Sequence, residues 1–387
     1  MSATVKSIEL LACDGGWRAY DFIKLTTSDG IVGWAEFDAP PGATAALRTL
    51  SERVIGKSVI DHERVFFELF GNRRTSFAGV SAMAVGAIEN VLLDAKAKTL
   101  GVPCYELLGG KVRDSVRVYW SHCAVMRISR PQWFGPPIKD AMGLKAVGAE
   151  VKAKGFTALK TNIILHEKDG LFVTAPGFAR PFQPDLNVDR KMLRDLRRSL
   201  ELIREGAGPD LDLLIDLNFN CRTEGYLEIL RAIADLDMFW IEIDMDDADA
   251  LAYIRAQSPH PISSCETLYG IRQFKPFLRA KSMDVAIIDA IRNGIWQSMK
   301  IAATAEAFDV NVAPHNFYGH LATMMNAHFA VAVPNLRIME VDIDRLPWDG
   351  EIFPVQPKFV NGHIQVPDTP GWGCDPDEKA IRARPMT

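Results

Sequence analysis

Six ionisable residues recur at nearly constant spacing. Asp216, Glu242, Glu266, Asp289, His315 and Glu340 are separated by 26, 24, 23, 26 and 25 residues. Each ends or follows a short apolar run of the kind that forms a buried strand. One acid after a strand is ordinarily a helix N-cap or a solvated loop charge, but capping does not explain six in phase. Carboxylates gathered in a confined space repel one another, and a divalent cation makes such a group tolerable. Oxygen donors without Cys or paired His select a hard ion. Asp216, Glu242 and Glu266 are therefore candidate ligands of Mg2+, with Mn2+ as a substitute, and the ion keeps positions open for water or substrate oxygens. Asp289 and His315 end neighbouring runs. A carboxylate beside an imidazole orients it and raises its pKa, which suits a general base. Lys160, in Ala-Leu-Lys-Thr-Asn, ends an earlier run, where an ammonium can stabilise negative charge or move a proton. Glu340, if protonated, can donate a hydrogen bond to a developing oxyanion.

The spacing itself specifies the elements that hold these residues. A closed barrel of about 250 residues contains eight β/α units, so one unit takes about the interval seen. Eight apolar runs are present, at 116–120, 158–160, 213–216, 239–243, 262–264, 285–288, 312–313 and 338–341. Longer amphipathic stretches separate them, such as the one carrying Met192, Leu196, Leu200 and Ile203 behind the candidate N-cap Asp189. Strands alternating with helices give a parallel sheet. The predicted fold class is α/β, with a (β/α)8 TIM-like barrel over 116–341. In a barrel the common phase puts all six residues at the carboxyl-terminal mouth. Residues 163–188 are too long for a simple turn and read as an active-site loop or lid.

Residues 1–115 differ. Extended runs at 7–11, 21–27 and 31–37 are followed by a helix over 81–99, with Val85, Ile88, Leu92 and Ala95 at helical spacing. Ser28-Asp29-Gly30 forms the turn between the last two strands, and Gly101 and Pro103 end the helix. This is an α+β domain. The tail, 342–387, is rich in Pro and Gly, has a short extended run at 363–366, and is expected to fold back onto the first domain.

Composition narrows the function. Forty-four basic against 49 acidic residues leave a net charge of −5, which argues against nucleic acid as a partner. No apolar stretch approaches the roughly 20 residues of a membrane span. The amino terminus lacks a secretory pattern, and the six cysteines include no C-x-x-C pair. They read as small core residues of a cytoplasmic protein.

With these residues in place, the chain resembles the mandelate racemase/muconate lactonizing enzyme family of the enolase superfamily over nearly its whole length. The resemblance rests on the helical run from Ala84 to Lys96, on Leu107-Leu108-Gly109-Gly110, and on Ile-Asp-Leu-Asn at Asp216. It also rests on Trp-Ile-Glu-Ile-Asp at Glu242, Ser-Cys-Glu-Thr at Glu266, Ile-Asp-Ala-Ile-Arg-Asn-Gly at Asp289, Ala-Pro-His-Asn at His315 and Met-Glu-Val-Asp at Glu340. It implies an enolase-type modified barrel and an amino-terminal capping domain completed by the tail. It also implies Mg2+ held by Asp216, Glu242 and Glu266, a His315–Asp289 dyad, and a homo-oligomer, dimer or octamer. The common step is removal of the proton next to a substrate carboxylate to give an enediolate. Racemases of the family carry Lys-x-Lys after the second strand, where this chain has Lys160-Thr161-Asn162, and a Lys-x-Asn form occurs in the sugar-acid dehydratase branch. That branch has His two residues after the first metal ligand, where this chain has Asn218, and the usual Glu-Glu-Pro is here Glu242-Ile243-Asp244.

The expected activity is a hydro-lyase acting on a sugar acid to give a 2-keto-3-deoxy acid. A racemase or epimerase using Lys160 as the opposite base is the first alternative, and an inactive carboxylate-binding barrel the second. Expected substrate contacts are Trp17 and Arg18 in the capping loop 13–20, His122 after the first barrel strand, Asn162 and Asn218. His320 and His328 are expected to pack in the helix after the seventh strand.

Overall fold

The computed structural model describes residues 3–71, 74, 76–174 and 186–386. Three antiparallel strands open the chain, β1 (Val5–Asp14), β2 (Ala19–Thr27) and β3 (Val32–Phe37), with the turn at Gly30 closing the second pair. The helix Gly79–Leu100 follows and ends on Gly101 at φ 69°. It is buried on nearly every side rather than along one stripe, because it lies between this sheet and the barrel. Gly86 makes the approach possible: a Cβ there would lie 2.4 Å from the carbonyl oxygen of Arg292, a backbone atom just past Asp289.

The barrel strands are β4 (Ser115–Ser121), β5 (Ala158–Thr161), β8 (Asp212–Asp216), β9 (Met238–Glu242), β10 (Ile262–Ser264), β11 (Val285–Ile288), β12 (Asn311–Pro314) and β13 (Met339–Asp342). All eight coincide with the predicted runs, and neighbours pair in parallel from β4 round to β12. β13 pairs with β4, and a parallel bridge from Val312 to Leu336, just before β13, closes the circle.

The expected lid differs from its prediction. Its first part is a hairpin, β6 (Ile163–Glu167) with β7 (Gly170–Thr174). It is anchored by His166, whose amide donates to Asp195 and whose Nε2 lies 3.0 Å from the Ser199 hydroxyl on the helix Arg190–Ala207. Residues 175–185 of that expected lid lie outside the described residues. The tail adds β14 (Lys358–Val360) and β15 (His363–Gln365), and β15 pairs antiparallel with the start of β4. Beyond it Trp372 is fully buried, donating from Nε1 to the Trp34 carbonyl and from its amide to Asp94. Asp94 also accepts from the Trp34 amide and pairs with Lys98 at 2.7 Å, so one buried carboxylate joins helix, sheet and tail.

Glu36 makes a second seam. From β3 it accepts the amides of Gly319 and Ala322 at the start of the barrel helix His320–Ala332. A carboxylate at a helix amino terminus satisfies orphan donors and complements the dipole. All six cysteines are free and buried.

His328, packed in that helix as expected, is one of the buried histidines through which acid destabilises the fold. Its Nδ1 accepts the Tyr105 amide at 3.1 Å, and its Nε2 lies 3.2 Å from the Trp372 carbonyl. Burial pushes its pKa down to about 3. The folded value lies below the unfolded one of about 6.5, so its contribution is complete above pH 6.5 and is lost as pH falls toward 3. Urea unfolding at pH 7 and pH 4 is expected to show about 3 kcal/mol lost to this group. His328→Gln, which does not titrate, is expected to be less stable at pH 7 but to lack that part of the slope.

Candidate active site

At the carboxyl ends of the strands the side chains gather round Lys160. This lysine is fully buried in β5. Its Nζ lies 2.9 Å from Glu242 Oε2, 3.0 Å from Glu340 Oε1 and 3.8 Å from Asp216 Oδ2. Burial disfavours its charge, yet Glu242 and Glu340 hold its pKa well above the usual lysine value. Glu340 also accepts the Ser121 hydroxyl and the Asn316 amide. Burial opposes its ionisation, but Lys160 and His315 outweigh that and keep its pKa well below the usual carboxylate range. The expected hydrogen-bond donation by Glu340 requires a proton that three donors oppose.

Asp216 and Glu242 end adjacent strands in register, and Glu266 stands two residues beyond β10. Burial raises the pKa of Asp216 to about 6 and of Glu242 to about 8, and Glu266 adds to both. Glu242 Oε1 is buried with no hydrogen-bond partner. Among the described residues, no three such side chains are already drawn round an ion. Their chemistry nevertheless fits one. The donors are hard oxygens, one buried oxygen is unsatisfied, and the mutual repulsion is offset only in part by Lys160.

The dyad is assembled. His315 Nδ1 lies 2.8 Å from Asp289 Oδ2, leaving Nε2 3.5 Å from Glu266 and 4.0 Å from Glu340. Asp289 caps the turn after β11 by accepting the Arg292 amide at 2.8 Å, and it also accepts the Tyr318 hydroxyl. Burial opposes its charge, but Arg292 and His315 hold its pKa below the usual value. Arg292 also pairs with Asp38 at 3.0 Å, tying the dyad to the first domain. Burial works against a charged His315, yet Glu266, Asp289 and Glu340 raise its pKa to about 10.

The expected substrate contacts form two groups. Asn162 and Asn218 are buried together: Asn162 Nδ2 donates to Asn218 Oδ1 at 3.1 Å and to the Asp216 carbonyl at 3.2 Å. Trp17, Arg18 and His122 converge on Phe317, two residues past His315. Arg18 donates to the Phe317 carbonyl and sits over the rings of Trp17, Tyr20, Phe317 and Tyr318. The His122 ring stacks on Phe317 at 4.0 Å, and Trp17 Nε1 is buried without a partner. Sequence reasoning missed Tyr318, Arg292 and Ser121, which sit one to three residues from the residues it named.

Comparison with known proteins fixes the family. Residues 144–380 match the enolase C-terminal domain-like family, and residues 16–109 match the mandelate racemase / muconate lactonizing enzyme N-terminal domain. The chain belongs to the mandelate racemase/muconate lactonizing enzyme family. It is thus an enzyme of the enolase superfamily, built as a capping domain on a (β/α)8 barrel. A solved relative from Burkholderia xenovorans, provisionally named an L-alanine-DL-glutamate epimerase and bound to magnesium and fumarate, is 59% identical. It superposes with a TM-score of 0.97 over 99% of this chain and 96% of its own. The D-gluconate dehydratase of Thermoproteus tenax is 28% identical, covering 99% of this chain and 75% of the relative. The D-xylonate dehydratase of Haloferax volcanii is 25% identical, covering 98% and 89%. No described helix is long and apolar enough to cross a membrane.

Proposed function

We propose that this enzyme dehydrates a sugar acid, using His315 as the single base. The observation that carries the reading is the orientation of the dyad. His315 Nδ1 is taken by Asp289, so its free Nε2 faces the carboxylate cluster. Asp216, Glu242 and Glu266 would hold Mg2+, which when bound supplies Lewis-acid polarisation of the substrate carboxylate. In its neutral form His315 removes the proton on the adjacent carbon, with Asp289 and Tyr318 holding the ring; a cation held by Glu266 would offset the largest of the charges that favour the imidazolium. Lys160 stabilises the enediolate charge, and Glu340 and Glu242 hold the ammonium in position. His315 then returns its proton to the departing β-hydroxyl on the same face, and the enol product becomes a 2-keto-3-deoxy acid. Asn162 cannot take a proton, which supports one base over two. The dehydratase relatives support the same reaction class.

Incubating the enzyme with Mg2+ and a panel of sugar acids is expected to release 2-keto acid from at least one, read by semicarbazide absorbance. No 2-keto acid from any member would count against dehydration. Epimerisation is the second reading, favoured by Lys160 standing across the mouth from His315 and by the provisional name of the Burkholderia relative. Solvent deuterium at the α-carbon with inversion and no 2-keto acid would decide for it.

A further inference from the structure

Asp244 is a buried acid to which the proposed chemistry gives no part. It lies two residues past Glu242 in Ile-Asp-Met-Asp-Asp, where β9 has formally ended. The hydrogen bonding nonetheless runs on, in step with β10 and with a one-residue slip against β8 at Asn218, which has φ 48°. The Ile243 amide donates to the Ser263 carbonyl at 3.0 Å, the Leu217 amide to the Glu242 carbonyl at 2.9 Å, and the Asp244 amide to the Asn218 carbonyl at 3.1 Å. The backbone therefore keeps its pleat through residue 244, and alternate residues share a face. Asp244 stands on the same side of the strand as Glu242, one layer nearer the mouth.

The side chain is 8% exposed, and its Oδ1 has no hydrogen-bond partner. The charges that act on it most are Glu266, Asp216 and Glu242, and no Lys or Arg is paired with it among the described residues. Glu242 Oε1 is likewise buried and unpartnered. Two unsatisfied carboxylate oxygens on one face, within a group of four acids, call for a cation rather than a donor from the protein.

We propose that Asp244 is a fourth carboxylate of the divalent-cation site, directing its free Oδ1 at the ion or at a water on it and tightening the hold on a hard cation. This rests on the reading that Asp216, Glu242 and Glu266 bind that ion, and it adds a residue to their set. The position that usually carries Pro in the family supplies a carboxyl group in this chain.

The test is Mg2+ binding to chelator-stripped full-length protein by calorimetry, with thermal melting alongside. Asp244→Asn is expected to weaken Mg2+ binding about 10- to 100-fold, and Asp216→Asn to remove measurable binding. Without metal, D244N is expected to melt no lower than wild type, since it relieves crowding of like charge, and added Mg2+ is expected to raise its Tm less. Wild-type affinity in D244N, with binding lost in D216N, overturns the proposal and leaves the three-carboxylate reading standing. Absence of Mg2+ binding by wild type overturns both. If D244N does not fold by circular dichroism, Asp244→Ser is measured against the same outcomes.

Discussion

Replacing His315 with Asn is expected to lower kcat by about 10²- to 10⁴-fold, the usual contribution of a positioned general base. The fold should survive, because His315 lies at the mouth of the barrel and Asn can still bond Asp289. The decisive readout is exchange of the substrate α-proton in deuterated water, followed by NMR. With His315 as the only base on its face, H315N loses exchange and turnover together while KM changes little. Exchange that persists in H315N would move proton abstraction to Lys160 and favour the two-base epimerase.

Lys160→Met is expected to have the largest effect on stability. Its ammonium lies within 4 Å of Asp216, Glu242 and Glu340, all buried. Removing one partner of such a group leaves uncompensated charge and costs about 3–5 kcal/mol. Metal-free K160M should therefore unfold at a much lower urea concentration than wild type. Mg2+ should recover part of the difference, because a divalent ion restores positive charge among the same acids. Turnover should stay low even with metal, since the enediolate loses a fixed donor whose removal typically costs about 10²-fold or more. Unchanged stability of K160M without metal would show that the acids are neutral, and the electrostatic picture of the mouth would be wrong.

The barrel was legible because parallel strands buried on both faces read as continuous apolar runs, and because most of them end at or near a residue whose charge has no place in a core. Asp216, Glu242, Asp289, His315 and Glu340 needed only their spacing to be found. The hairpin at 163–174 was read only as part of a loop or lid, although Asp169-Gly170 is a turn signal, with Gly170 at φ 131°. Its length within a β/α unit outweighed the local pattern. Partners that arrive from elsewhere in the chain were not legible. The Ser121 hydroxyl and Asn316 amide that donate to Glu340 come from two other strand ends, and no spacing rule joins them. Asp244 was in view, since two residues along a pleat return to the same face, but it was read only as a departure from Glu-Glu-Pro.

The carboxylate of Glu36 has a bearing on how such enzymes diversify. It starts a helix four residues beyond Asn316 in the other domain, so the halves of this chain are not interchangeable parts. A chimaera joining this barrel to a relative's amino-terminal half would need an acid at that place. Without one, the segment between His315 and His320 would lose one of its anchors.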